Sequence, residues 1–284
     1  MSLLGKGNST IGAALAAVRD RIPGNEARLL LRHALGCTAA YLEAHRDDEL
    51  PAAAAARFAE LARRREAGEP IAYLTGAREF FGREFLVTPD VLIPRPETEL
   101  LVELGIAKLV GHRAAPRILD MGTGSGCVAV SLALALSAAK VTALDNSVEA
   151  LKLAQRNAQR LGANIGYIES DWFAALDGTR YDLIVANPPY IAAGDIHLCR
   201  GDLRFEPPQA LASGADGLDA IRRIVGGAAQ HLQPGGWLLF EHGYDQAEMV
   251  ADLLQTESYA EIEQHRDLAG IVRVSGGGKV LATG

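Results

Sequence analysis

The chain has 284 residues, 49% of them hydrophobic and 22% charged, enough to build one large core or two smaller ones. A formal charge of −7 argues against a protein that lives by gripping phosphate backbones, although a local basic patch stays open. No run approaches membrane-spanning length and the start lacks a charged-then-apolar signal pattern. Cys37, Cys127 and Cys199 show neither metal-ligand spacing nor a paired framework, so the expectation is a cytoplasmic protein without a metal.

Met1 to Asn8 is small and polar and reads as an unstructured start. Ile11 to Asp20 has helical spacing, with Ile11, Leu15 and Val18 on one stripe. Asn25 is placed to cap a helix running to Gly36, Ala39 to Ala44 suggests a short one, and Pro51 opens another over Ala52 to Gly68. That last helix ends in Arg63-Arg64-Arg65, and cations followed by a glycine are a helix stop; the run reads as a solvated helix end before it reads as a partner contact. The front of the chain is therefore a small all-helical unit, taken as residues 1–75. Phe80 to Val87 is aromatic and β-branched around Gly82 and reads as a hairpin, so residues 76–96 form a linker. In Leu92 to Glu99, Pro96 suits a first helical position and Glu97 and Glu99 suit a first turn. Arg95, between two prolines, is left without a packing explanation.

Residues 97–284 alternate helices and strands through Trp237 to Phe240, an α/β doubly wound pattern. Arg117 to Met121 reads as a strand that runs into Gly122-Thr123-Gly124-Ser125-Gly126-Cys127 and then a small-residue apolar helix. The glycines permit a tight turn and close approach of a ligand to the backbone, and the helix start adds amides and a positive dipole end. The dinucleotide fingerprint wants its third glycine where Cys127 stands, so that pattern fails. The next strand ends at Asp145, whose carboxylate suits a ribose diol; a helix N-terminal role is the plainer alternative, and Asp145 alone does not separate one nucleoside cofactor from another. A third strand ends before Asp171 and Trp172, where a purine could stack and hydrogen-bond, unless Trp172 is ordinary core. Tyr181 to Ala186 is a buried strand that must stop at Asn187-Pro188-Pro189-Tyr190, because prolines donate no N–H and restrain the residue before them. The Asn187 side-chain oxygen and the Pro188 carbonyl then form two rigid acceptors beside an aromatic ring. Such a device can hold both hydrogens of a planar –NH2 group and aim its nitrogen; a plain strand-terminating turn is the bland alternative. Ligands in such sheets bind at strand carboxyl ends, where all four of these features fall. Residues 191–216 are long and aperiodic and read as a lid. His242 reads as structural, and His33, His45, His112, His197, His231 and His265 show no ligand spacing.

On these residues the chain resembles the HemK/PrmC family of glutamine-N5 methyltransferases. The resemblance runs through Glu69 to Gly76 with Arg78-Glu79-Phe80, Leu92 to Glu99, the Asp120 to Gly126 loop, Ser170 to Phe173 and Asn187 to Tyr190. It continues through Phe205-Glu206-Pro207, Asp216-Gly217-Leu218, and Asp267 to Gly270 with Arg273. Met121 replaces a leucine common in such loops, a volume-conserving change. The resemblance implies a Rossmann-like class I methyltransferase domain joined by a β-hairpin to an N-terminal helical domain. It implies S-adenosylmethionine as methyl donor, released as S-adenosylhomocysteine, bound by Gly122, Thr123, Gly124, Ser125, Gly126, Asp145, Asp171, Trp172 and Asn187. Asn187, Pro188, Pro189 and Tyr190 would hold the substrate glutamine, with Asn187, Pro188 and Tyr190 serving the chemistry. The substrate would be the glutamine of the Gly-Gly-Gln motif of a peptide-chain release factor, docked on the helical unit by a monomeric enzyme that binds no DNA. An adenine-N6 nucleic-acid methyltransferase, a glutamine-N5 enzyme for a ribosomal protein and a non-enzymatic cofactor-binding module remain as alternatives.

Overall fold

Thr10 accepts the Ala13 N–H on its hydroxyl oxygen, and α1 (Ile11–Ala16) starts there. It stops short of Asp20 because the amides of Val18 and Arg19 reach back three residues rather than four, tightening the chain into turns. α2 (Gly24–Leu35) is opened by Pro23 and not by Asn25, which lies inside the helix; Pro23 already holds φ at −55°, and no side chain caps the turn. Gly36 ends α2 in the left-handed region at φ 66°. α3 (Ala39–Ala44) is capped by Thr38, and α4 (Ala52–Glu66) follows Pro51. The arginines at its end are engaged: Arg63 with Glu60, Arg64 with Glu69, and Arg65 with Glu26 at 2.7 Å, a half-buried pair that ties α4 to α2. α5 (Ile71–Thr75) lies between Pro70 and Gly76, too short for periodicity to reveal. Ile11, Leu30, Leu31, Phe58 and Leu61 are the buried centre of this unit.

The computed structural model describes residues 10–111 and 115–279; the expectations for Met1 to Asn8 and for His112 lie outside them. The chain divides into two compact units, Met1–Ala77 and Arg78–Gly284, so the hairpin falls with the second unit rather than standing alone. No helix among the described residues is long and apolar enough to cross a membrane.

In the hairpin of β1 (Ala77–Phe80) and β2 (Arg83–Leu86), Phe81 and Gly82 both take positive φ, 50° and 71°, as a two-residue turn matched to strand twist requires. The Phe81 amide donates to Glu99 at 2.8 Å, so Glu99 stabilises a left-handed non-glycine residue. Pro96–Thr98 is one tight turn leading into α6 (Glu99–Leu109). Next come β3 (Arg117–Met121), α7 (Cys127–Ala135), β4 (Lys140–Asp145), α8 (Val148–Leu161), β5 (Ile165–Glu169) and β6 (Tyr181–Ala186). After the 191–216 segment the chain forms α9 (Asp219–His231), β7 (Leu232–Glu241), α10 (Ala247–Thr256), β8 (Ala260–Arg266) and β9 (Val272–Gly278).

The strands make one sheet in the order β5-β4-β3-β6-β7-β9-β8, parallel except that β9 runs antiparallel to both neighbours. Ile118, Leu183 and Val185 bury one face against Leu101, Val102 and Val130, while Leu119, Ile184 and Phe240 bury the other against Ile221, Ile224 and Val250. That two-sided burial is why the parallel strands read as apolar runs rather than alternations. β9 escapes such a reading because it ends Gly276-Gly277-Gly278. A side chain on Gly276 would collide with the Leu238 carbonyl of β7, so the glycine permits close backbone approach in a poor strand former. The strand order reverses between β3 and β6. The register pairs Met121 with Ala186 and Ala186 with Phe240, so the segments after β3, β6 and β7 emerge side by side at one sheet edge.

Candidate active site

The glycine loop is shaped from below by Asp120. This buried carboxylate accepts the Thr123 hydroxyl at 2.7 Å and the Ala129 amide at 3.1 Å, and burial raises its pKa to about 7. Gly122 and Thr123 donate their amides to Leu144 O, Gly124 donates to Asp145 at 2.9 Å, and Gly126 donates to Thr123 O. Those four N–H groups are spent inside the fold, so the loop is poorly equipped for a pyrophosphate, which needs free amides. It is well suited to a ligand held by close approach. Gly122 and Gly124 have φ of 71° and 54°, and a side-chain carbon added at either meets nothing within 4 Å. Gly126 does not line this space; its φ is 81°, and an added carbon would lie 2.9 Å from the Ala154 side chain on α8. It sets helix packing rather than ligand contact. Asn157, buried on the apolar stripe of α8, was missed by sequence reasoning. Its amide group bonds both backbone groups of Leu86 and the Ser125 carbonyl, tying hairpin and loop to the helix.

Around the loop opens a cleft of about 1000 Å³, its open mouth included. Gly122, Thr123, Gly124, Ser125, Asp145, Asp171, Trp172, Asn187 and Pro189 line it; Pro188 and Tyr190 do not. The Asp145 carboxylate also accepts the Ser147 amide at 2.9 Å, so it serves loop and helix start while keeping lone pairs for a diol. Burial pushes its pKa up. Trp172 is held at φ 53°, its carbonyl accepting the Ser170 hydroxyl at 2.8 Å, and Asp171 pairs with Arg223 at 2.7 Å. Cys127 also lines the cleft, but burial pushes its thiol up to about 12, which removes it as a nucleophile near neutral pH. The cleft thus offers an open glycine cradle, a carboxylate at a strand end and an indole, without a phosphate cradle. These residues fit a nucleoside cofactor lacking phosphate, such as S-adenosylmethionine.

Asn187 stands where the paired strand ends converge. Its side-chain Nδ2 donates to Thr98 Oγ1 at 3.0 Å, and Thr98 donates to Glu241 Oε2 at 2.6 Å. The Tyr190 hydroxyl donates to the other Glu241 oxygen at 3.0 Å. Asn187 Oδ1 is buried and has no hydrogen-bond partner. An unmet buried acceptor costs about 1–3 kcal/mol, and it is the group that a substrate N–H would satisfy. Neither Thr98 nor Glu241 is a residue that sequence reasoning selected. Thr98 lies in the Leu92 to Glu99 motif and Glu241 directly follows the Trp237 to Phe240 strand, but only the β6–β7 register brings position 241 beside position 187. His242, next in the chain, is buried and bonded to Gly243 O and Ser275 Oγ, and burial lowers its pKa, as suits a neutral structural histidine.

The 191–216 segment holds itself in short turns, closed by the bridge between Ile191 and Ala212. Pro207, Gln209 and Ala210 line the cleft. Its anchor is buried Glu206, which accepts the Ile93 amide at 3.1 Å and pairs with Arg95. Arg95 is therefore part of the latch between this segment and the irregular 91–95 segment. Glu206→Gln is expected to raise hydrogen exchange at the Ile93 amide and through 191–216, with β3 and β6 unchanged; equal protection in the variant would show that Glu206 anchors nothing.

Comparisons with known proteins bear on what occupies this site. The description "PrmC N-terminal domain" matches residues 10–76 and "Methyltransferase small domain" matches residues 98–200. The release factor glutamine methyltransferase of Bordetella pertussis is 55% identical over 257 residues, covering 90% of this chain and 95% of its own. The chain belongs to the release factor glutamine methyltransferase family. The family's protein from Burkholderia pseudomallei is likewise 55% identical, over 89% of this chain and 90% of its own. A methyltransferase from Pyrococcus furiosus superposes with a TM-score of 0.52 at 19% identity, over 71% of this chain and 91% of that one, which shows the shared fold alone.

Proposed function

We propose that this family member transfers a methyl group from S-adenosylmethionine to the side-chain amide nitrogen of the glutamine in the Gly-Gly-Gln motif of a peptide-chain release factor. The observation that carries the chemical part is Asn187 Oδ1, a buried acceptor without a partner on a residue that lines the cofactor cleft. An amide nitrogen is a poor nucleophile because its lone pair is delocalised into the carbonyl. Asn187 Oδ1 and the Pro188 carbonyl, accepting its two hydrogens, turn them out of the amide plane and free the lone pair. The bound sulfonium supplies an activated methyl carbon. The nitrogen's lone pair would form the new N–C bond as the C–S bond breaks with its electrons to sulfur, and water would take the hydrogen lost from nitrogen as a proton. Good positioning supplies about 7–11 kcal/mol in favourable cases, so the side chains need only hold and orient.

The helical unit is the docking module in this reading, and the protein works as a cytoplasmic monomer. Acidic charge and the absence of a basic recognition segment disfavour a nucleic-acid substrate. Incubation of the protein with S-adenosylmethionine and a purified release factor, followed by peptide mass spectrometry, is expected to show one added methyl on the Gly-Gly-Gln glutamine. Methylation of duplex DNA or a ribosomal protein with the release factor left unmodified would overturn the assignment.

A further inference from the structure

Glu241 is a buried carboxylate that accepts from two neutral hydroxyls, those of Thr98 and Tyr190. Arg273 of β9 attracts it while bonding Asp267 at 3.3 Å, and Glu97, from the turn before α6, repels it. Burying a charge with so little compensation costs folding energy, and a glutamine of the same shape would avoid that cost. The direction of the hydrogen bonds says what the charge does. Thr98 has one hydroxyl hydrogen, and Glu241 takes it, so Thr98 can only accept from Asn187. The Asn187 –NH2 must then face Thr98, and an amide flip is forbidden. Oδ1 is left as the face offered to a substrate.

We propose that Glu241, acting through Thr98 and Asn187, is a positioning residue that supplies the counter-charge for the methyl-accepting nitrogen. The inference rests on the amide-methylating reading above. As the nitrogen bonds the methyl carbon it becomes positive, and its hydrogens bind Asn187 Oδ1 more strongly. A chain of bonds ending in an anion polarises each member in turn, so Oδ1 carries more negative charge than an isolated carboxamide. The effect is largest in the transition state, which is the condition for raising kcat rather than lowering KM.

The proposal also has a pH signature. Burial holds Glu241 above the usual carboxylate range. As pH falls through that raised value Glu241 gains a proton, the anion at the end of the chain is lost, and the polarisation of Asn187 Oδ1 is lost with it. Of the other groups nearby, Tyr190 remains a phenol because burial raises its pKa, burial keeps neighbouring His242 neutral, the Ile271 amide holds Asp267 low, and Glu97 is retained when Glu241 is replaced. Asp120 and Asp145, both raised by burial, belong to the glycine loop, so the acid limb is read as kcat at saturating S-adenosylmethionine.

The test uses the full-length protein, S-adenosylmethionine and an intact release factor. Thr98→Val is expected to lower kcat by roughly ten- to hundredfold, a relayed fraction of the 10²–10³ that a direct contact supplies, with KM for the release factor and calorimetric S-adenosylmethionine affinity nearly unchanged. Thr98→Ser, which keeps the hydroxyl, is expected to restore kcat. Glu241→Gln is expected to lower kcat and to abolish the decline of kcat on the acid side. A wild-type kcat in Thr98→Val overturns the inference, and so does Glu241→Gln with low kcat but an intact acid limb, which would mark a structural role. If Glu241→Gln fails to fold, the Thr98 pair decides. Failure of the wild-type protein to methylate the release factor overturns the functional reading and this inference with it. Wild-type activity with an unaffected Thr98→Val overturns the inference alone.

Discussion

Asn187→Ala is expected to lower turnover roughly 10²–10³-fold while S-adenosylmethionine affinity measured by calorimetry changes little. The alanine removes the buried, unpartnered acceptor Oδ1 and leaves Thr98 without the donor it holds at 3.0 Å. It leaves the glycine loop, Asp145 and Trp172, which line the cleft, untouched. A loss confined to kcat marks an interaction made in the transition state, whereas a loss confined to KM marks uniform binding. The companion variant Asn187→Asp is expected to be no better than alanine. Its carboxylate would face the Thr98 oxygen, whose hydrogen is committed to Glu241, and would stand near a second buried anion. Near-normal turnover in the alanine variant would refute the clamp.

The second large effect is on stability. Gly126→Ala is expected to destabilise the second unit by about 2–5 kcal/mol, from left-handed backbone strain of about 1–2 and overpacking of about 1–3. The added carbon would lie 2.9 Å from the Ala154 side chain and 3.1 Å from its Cα, and φ is 81°. Gly122→Ala is the contrast: φ is 71°, but the space beyond it is open. That variant should lose only about 1 kcal/mol of stability from strain, and its larger loss should appear in cofactor affinity, because the new methyl occupies the cradle. Denaturant melts and calorimetry on the two variants separate the roles. The reversed pattern, with Gly126→Ala stable but binding-deficient, would show that Gly126 is the contact residue.

Acidity follows the same division of labour between loop and fold. Asp120 has a pKa raised to about 7 in the folded state, above its unfolded value, so its contribution to stability is present at low pH and is lost as pH rises through about 7.

What lay within one element was legible in the residues. The strand before Asn187 and the two prolines after it, the glycine loop between β3 and α7, and Asp145 at the end of β4 each depend on local pattern, and each falls at the strand end where pattern placed it. The cap of α2 did not, because Pro23 competes with Asn25 and its fixed φ prevails. β9 did not, because its glycines are chosen for backbone approach to Leu238 rather than for strand propensity. Gly126 looked like a third cradle glycine, yet its contact is with α8, set by how two helices pack.

Local chemistry therefore determined by itself that this chain carries a glycine cradle, a strand-end acid and a rigid carboxamide in one doubly wound sheet. Only the tertiary structure decided which way that carboxamide faces. Its orientation depends on Thr98 and Glu241, residues 89 and 54 positions away from Asn187 on either side. Register between β6 and β7 and the packing of the turn before α6 bring them within hydrogen-bond reach. A hydrogen bond requires distances good to a fraction of an ångström, and no periodicity in a sequence encodes a distance between segments that far apart.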